Sequence, residues 1–214
     1  MTGGRGMASR LRIGLFLGAC ACLLTAASAS PLGDAVALYK QKKYPEARSI
    51  LEPLVAAEPS NAPACYFLAM TLRRSEGASA LDPAHALLAK AVLLAPANAG
   101  YLAEYADVCW KMADRDKSLG LALDGRDAMT RAIAADPSDL DGREGLMQFY
   151  AQAPWPLGDP DKALALAAEI AGRDPKRGIA GYRKIEDLFK KSGHGKEALS
   201  AEGAAQKLAQ GHPQ

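Results

Sequence analysis

Catalysis and metal binding have few side chains to draw on in this chain. Three of its 214 residues are histidine and four are cysteine. His85, His194 and His212 stand alone, with no His-Glu-x-x-His spacing, and no Cys-x-x-Cys pair occurs. His85 falls between core positions of a helix and reads as solvent-facing or partly buried. His194 lies in the turn Ser192-Gly193-His194-Gly195, where glycines supply positive φ. No serine has the Gly-x-Ser-x-Gly context of an activated nucleophile, and no glycine loop precedes a helix to cradle phosphate. The acidic cluster Asp136 to Asp141 reads as helix capping, with Ser138, Asp139 and Asp141 able to accept from free N–H groups at a helix start. These absences predict no enzymatic activity, no metal and no cofactor.

A surplus of one charge sign is missing too. The 26 basic and 24 acidic residues give a net charge of +2, and three of the arginines, Arg5, Arg10 and Arg12, precede residue 13. They are followed by the apolar run Ile13 to Leu24 and by Ala27-Ser28-Ala29. A positive region, a short apolar region and an A-x-A site are the three parts of a secretory signal, so residues 1–29 are expected to be removed and Ser30 to become the N-terminus. The product would be periplasmic or extracellular, without a membrane span. Two other readings keep the segment or part of it. An uncleaved anchor needs roughly 20 apolar residues, which Ile13 to Ser30 only marginally supplies. A lipoprotein signal at Leu17-Gly18-Ala19-Cys20, lipidated at Cys20, would cut the apolar run in half. Without residues 1–29 the basic residues fall to 23 against 24 acidic ones, so the positive footprint of a nucleic-acid binder is absent.

What the chain does have is recurrence. A small residue is followed twelve positions later by proline at Ala47 and Pro59, Ala84 and Pro96, Gly125 and Pro137, and Ala163 and Pro175. Successive copies stand 37, 41 and 38 residues apart, a period that implies stacked repeats rather than one globular core. Between the landmarks, apolar residues recur at helical spacing, as in Ala47, Leu51 and Leu54 or Ala163, Ala167 and Ile170. Each such helix ends before its proline, which disfavours αR geometry in the preceding residue. A second apolar stripe lies upstream of each, for example Leu68, Ala69 and Leu72, so every unit is a helical hairpin. Tyr182, Ile185 and Phe189 followed by Lys196-Glu197-Ala198 make a fifth without a closing proline.

The segment Leu38-Tyr39-Lys40-Gln41-Lys42-Lys43-Tyr44-Pro45-Glu46-Ala47, continuing through Leu51 to Pro59, resembles the tetratricopeptide repeat, a helix-turn-helix unit with small, large apolar and proline positions at fixed places. The resemblance covers about residues 31–209. It implies an all-α, right-handed α-solenoid of five hairpins at about 31–61, 62–98, 99–139, 140–175 and 176–210, followed by a short tail at 211–214. Departures fall between paired helices, at Glu76 to Asp82, Ala113 to Asp124 and Pro154 to Pro160, and the second of these is expected to extend a helix. The segments Lys111 to Ala122 and Phe149 to Ala163 resemble those of exported bacterial tetratricopeptide proteins, a likeness that carries no activity with it. Glu202 at an apolar position, with Gly203 beside it, fits a polar end cap.

In such proteins the first helix of each repeat lines a concave groove. Carried over by register, the groove residues are Tyr66, Met70, Arg73 and Arg74; Ala103, Asp107, Trp110 and Lys111; Glu144, Gln148 and Gln152; and Arg183, Asp187, Lys190 and Lys191. Aromatic, methionine and arginine side chains among polar ones suit a peptide-binding surface, with Trp110, Tyr66 and Arg73 as its anchors. Arg73, Arg74, Lys111, Lys190 and Lys191 also fit as ordinary cations at helix C-termini. The Lys-Asn-Asn-Lys-Arg clamp that captures a free peptide C-terminus is absent, since Tyr66 and Met70 stand where Lys and Asn are required. Cys65 and Cys109 sit at positions 4 and 11 of neighbouring first helices, offset by about 10 Å along the axis at 1.5 Å per residue. A disulfide spans at most about 7 Å between Cα atoms, so both are expected as buried free thiols. Trp155, between Pro154 and Pro156, is expected to pack on the repeat ridge.

The function this implies is a non-enzymatic exported scaffold that holds a protein or peptide partner in its concave groove. The alternatives are a structural subunit of an envelope complex that uses its convex ridge or loops, and an accessory regulatory subunit of an envelope enzyme.

Overall fold

The computed structural model describes Met1 and residues 30–211. The leader, its processing after Ala29, Cys20 and His212 lie outside the described residues. Among the described residues there are ten α-helices and no strand: α1 (Pro31–Lys40), α2 (Tyr44–Ala57), α3 (Ala62–Glu76), α4 (Leu81–Leu94), α5 (Ala99–Asp116), α6 (Leu119–Ala135), α7 (Leu140–Gln152), α8 (Pro160–Arg173), α9 (Pro175–Ser192) and α10 (Gly195–Gly211). They pair in sequence as five hairpins, the all-α solenoid that the repeats imply. No described helix is long and apolar enough to cross a membrane.

Proline and a capping residue together write the boundaries between hairpins. Two positions after Pro59, Pro96 and Pro137 come Asn61, Asn98 and Asp139. Asn61 accepts from the N–H of Ala64 at 3.0 Å, Asn98 from Tyr101 at 3.0 Å, and Asp139 from Asp141 at 2.9 Å and Gly142 at 3.2 Å. Each satisfies N–H groups that have no partner within the helix. The fourth boundary differs. Asp174 closes α8 through its own N–H to the carbonyl of Ile170 and caps α9 by accepting from Arg177 at 3.0 Å. Pro175 therefore opens α9, where its missing N–H costs nothing. Ser30 caps α1 by accepting from Gly33 at 3.1 Å.

The small landmark residues lie where paired helices touch. Ala47, Ala84 and Ala163 are wholly buried and Gly125 is buried as well. The core is a chain of four apolar clusters rather than one mass. The first joins α1 to α4 around Leu51 and Leu68, and the second joins α3 to α5 around Leu88 and Val108. The third joins α5 to α7 around Leu102, Met129 and Phe149, and the last joins α7 to α10 around Ile170, Ile185 and Phe189. Each hairpin is thus stabilised by its neighbours, the energetic signature of a repeat array.

Two of the expected insertions take helical form, the second by extending its helices as expected. Residues Gly77–Ala80 form a 3-10 turn between α3 and α4, while α5 and α6 both run into the expected insertion and leave only Lys117 and Ser118 between them. Lys117 takes the left-handed conformation and Ser118 caps α6.

Cys65 and Cys109 are free and fully buried. Burial pushes the Cys109 thiol up to about 11 and the Tyr66 hydroxyl up to about 12, because water no longer solvates their anions. Both groups keep their protons in the fold at a pH where the unfolded chain has lost them. Their contribution is whole below about pH 9 and is lost as pH rises toward 12. Urea midpoints are therefore expected to fall between pH 8 and pH 10.5, with a smaller fall in Cys109→Ala. An equal fall in that variant would remove Cys109 as a cause.

Candidate partner-binding groove

The first helices α1, α3, α5, α7 and α9 do not stand at uniform distances. α7 packs directly on α9, whereas α5 and α7 are bridged chiefly by side chains. Their composition explains the difference. Small residues on α9 allow close approach: Gly181 lies against the sulfur of Met147, and Gly178 meets the main chain of α8 at Ala171. Across the α5–α7 seam stand two large aromatics instead, Trp110 and Phe149, stacked with ring centroids 5.1 Å apart and an interplanar angle of 15°. At the α3–α5 seam Tyr66 stacks on Tyr101 at 4.6 Å.

The wider α5–α7 seam opens into a cavity of about 890 Å³. Its floor is Trp110 and Phe149. Ala122 and Leu119 at the start of α6 close one side, and Pro154 and Leu157 of the α7–α8 loop close the other. The loop is built, not slack: the N–H of Asp159 donates to the carbonyl of Tyr150 at 2.9 Å and that of Leu157 to Pro154 at 2.9 Å. The rim is polar and balanced in charge. Lys111 pairs with Asp107 at 2.6 Å and Lys117 with Asp114 at 2.9 Å. Gln148, half-buried, and Gln152, exposed, also line the cavity.

Trp110 is held by two glycines. Its Cδ1–Nε1 edge fits over Gly125 of α6 and its six-membered ring lies 3.5 Å from where a Cβ on Gly145 would stand. Nε1 is buried without an acceptor, a loss of about 1–3 kcal/mol that only close packing offsets. The indole thus presents its face to the cavity and not its donor. An apolar floor with amides above it can take an apolar side chain and hydrogen-bond the main chain that carries it. Among the described residues no group of three or more His, Cys, Asp or Glu is placed to hold a metal ion.

No family model matches the chain, and no curated protein does. Solved structures do. A MamA protein superposes with a TM-score of 0.66 at 18% identity, covering 84% of this chain and 90% of that one. TTC0263, a thermophilic TPR protein in Thermus thermophilus, gives 0.55 at 21%, covering 84% and 90%. YrrB, described as a TPR protein with an unusual peptide-binding site, gives 0.66 at 16%, covering 85% and 86%. The chain has the tetratricopeptide-repeat fold.

On the first helices of that tetratricopeptide array, Asp107, Trp110, Lys111, Gln148 and Gln152 come together around one cavity. Other expected groove residues do not join them. Met70 is 3% exposed, with Nη1 of Arg73 lying 3.9 Å from its sulfur, so it is core and not surface. Arg73 itself is committed to Glu104 and Asp107 of the next hairpin, and Tyr66 to the Tyr101 stack. They tie α3 to α5 and touch the cavity only through Asp107. Glu144 is bound to Arg177 at 2.7 Å, and Lys190 to Glu186. Arg74, Arg183, Asp187 and Lys191 are exposed on the open side, while Ala103 is half-buried. Trp155 is 91% exposed: the turn that fixes Pro154 and Leu157 at the cavity points it outward, correcting the expectation that it packs on the ridge. His85 is half-buried, its ring 5.2 Å from that of Tyr105. Phe149, Leu119 and Leu157, which complete the cavity, carry no signal in the groove register. The nearest sign of them is the paired glycines Gly125 and Gly145.

Proposed function

We propose that this chain is a non-enzymatic protein-interaction scaffold that grips an extended segment of a partner protein in the cavity between α5, α6 and α7. The observation that carries this reading is the cavity itself, apolar at its floor and lined by two amides. Trp155 adds to it. Exposed by 91% between two cavity-lining residues, it is the kind of aromatic that a partner covers. YrrB, with its peptide-binding site, supports the use of this fold for such a role. Export is part of the proposal: Ser30 caps α1, so processing after Ala29 leaves the repeat array with its first cap.

The test is capture of envelope proteins by the parent, by Gln148→Trp, which fills the cavity, and by Trp155→Ala. Trp155→Ala is expected to keep its stability within about 0.5 kcal/mol, as exposed positions do. Both variants are expected to lose a partner that the parent holds. Undiminished capture by both would overturn the reading.

A second reading, a structural subunit assembled through the convex side, is favoured by Leu93, 80% exposed on α4, and Leu199, 69% exposed on α10. Loss of the partner in Leu93→Glu with retention in Gln148→Trp would select it.

A further inference from the structure

Charge is not spread evenly along the groove. The chain from Ser30 onward holds 23 basic and 24 acidic residues, yet α9 alone holds six basic residues against Glu186 and Asp187. Two of the six are consumed internally, Arg177 by Asp141 and Glu144 and Lys190 by Glu186. Arg183, Lys184 and Lys191 are exposed and have no ion pair among the described residues. A helix dipole accounts for Lys190 and Lys191 in the last turn, but it does not reach Arg183 and Lys184 in the middle of the helix.

The position of these cations is set by register. Buried Gly142, Arg143 and Leu146 of α7 correspond, 39 residues on, to buried Gly181, Tyr182 and Ile185 of α9. The same shift takes Gly145, Gln148 and Gln152, which line the cavity, to Lys184, Asp187 and Lys191. The open face of α9 therefore continues the groove surface one helix beyond the cavity, and there it turns basic.

Resting on the groove reading above, we propose that the bound segment is bipartite. An apolar or aromatic side chain enters the α5–α6–α7 cavity, and carboxylates on the same extended strand lie on Arg183, Lys184 and Lys191. One and a half helix spacings of ~10 Å are covered by about five residues of extended chain at ~3.3 Å each. Partner recognition is then a spacing rule: one large apolar residue and an acidic cluster about five positions away. The carboxylates are internal side chains, and no free C-terminus is needed.

The test uses the full chain and fluorescently labelled fourteen-residue peptides. Each carries one Trp or Leu and a Glu-Glu-Glu triplet, separated by zero to nine neutral residues in either chain direction. Matched sets carry Gln or Lys triplets or lack the apolar residue. Anisotropy titrations are expected to show an affinity maximum near four intervening residues, loss without the apolar residue, and weakening as salt rises. The Arg183→Glu/Lys184→Glu variant, changed only at exposed positions, is expected to bind the Glu peptides roughly tenfold or more weakly and to prefer the Lys set. Its thermal midpoint, matched to the parent, separates this from unfolding. Binding that needs the apolar residue but treats Glu and Gln alike, or is unchanged in the variant, overturns the bipartite rule and leaves the groove reading standing. Absence of binding across all the peptides overturns both.

Discussion

Replacing Gly125 with alanine lowers stability by about 1–3 kcal/mol, the usual cost of overpacking, and drives Trp110 toward water. An added Cβ would lie 2.6 Å from both Cδ1 and Nε1 of the indole and 3.0 Å from the carbonyl oxygen of Ala106. The indole cannot retreat into Phe149, already stacked on it, so its free path leads out through the cavity. With Trp155 changed to Phe to silence the exposed fluorophore, the emission of Trp110 is expected to shift to the red, with a lower urea midpoint. In a Trp110→Leu background the same methyl group meets no indole edge, and the cost of Gly125→Ala should shrink well below the single-variant value. Equal costs in both backgrounds would show that Trp110 is not the reason for glycine at this landmark.

Gly178→Ala is the larger perturbation. Here the new Cβ would come within 2.4 Å of both the Cα and the Cβ of Ala171 and 3.0 Å of its nitrogen. No rotamer change relieves a clash with main chain, so α9 must move off α8, at a cost at or above the upper end of about 1–3 kcal/mol. Because the core is a chain of clusters, the damage should concentrate at α9 and α10 and leave α1 to α4 protected. Hydrogen exchange should show amides of residues 175–211 opening before those of residues 31–94. Ala171→Gly in the same chain should restore little of the loss, because the Cα and nitrogen of residue 171 stay in place. Uniform loss of protection along the chain would refute the view of weakly coupled hairpins.

The fold was legible where its causes are local. Proline ends a helix through its own ring, and a small residue at a helix crossing is needed whatever the partner, so the recurrence at Ala47, Ala84, Gly125 and Ala163 is written in the chain. The groove was legible only as far as helical register reaches. Asp107, Trp110, Lys111, Gln148 and Gln152 follow the groove register and line one cavity. Met70 is buried instead, and Arg73, expected beside it as an anchor, is held by Glu104 and Asp107, 31 and 34 residues further on. No local pattern records such pairings. Trp155 was misread for a related reason: hydrogen bonds to Tyr150 and Pro154 shape its loop, and these depend on where α7 ends. Leu119 and Leu157 reach the cavity from a helix start and a loop, which carry no register at all.

The joint at Asp174 bears on how such an array can move. One residue ends α8 and begins α9, so no linker separates them, and Gly178 locks the two helices main chain to main chain. Residues 160–192 must swing as a single lever. Where Trp110 meets Phe149, by contrast, the contact is between two flat faces that can slide. That contact stands beside the place where a guest would sit. Insertion of a side chain there would change the angle between the two ends of the molecule, so that occupancy is readable at a distance as curvature.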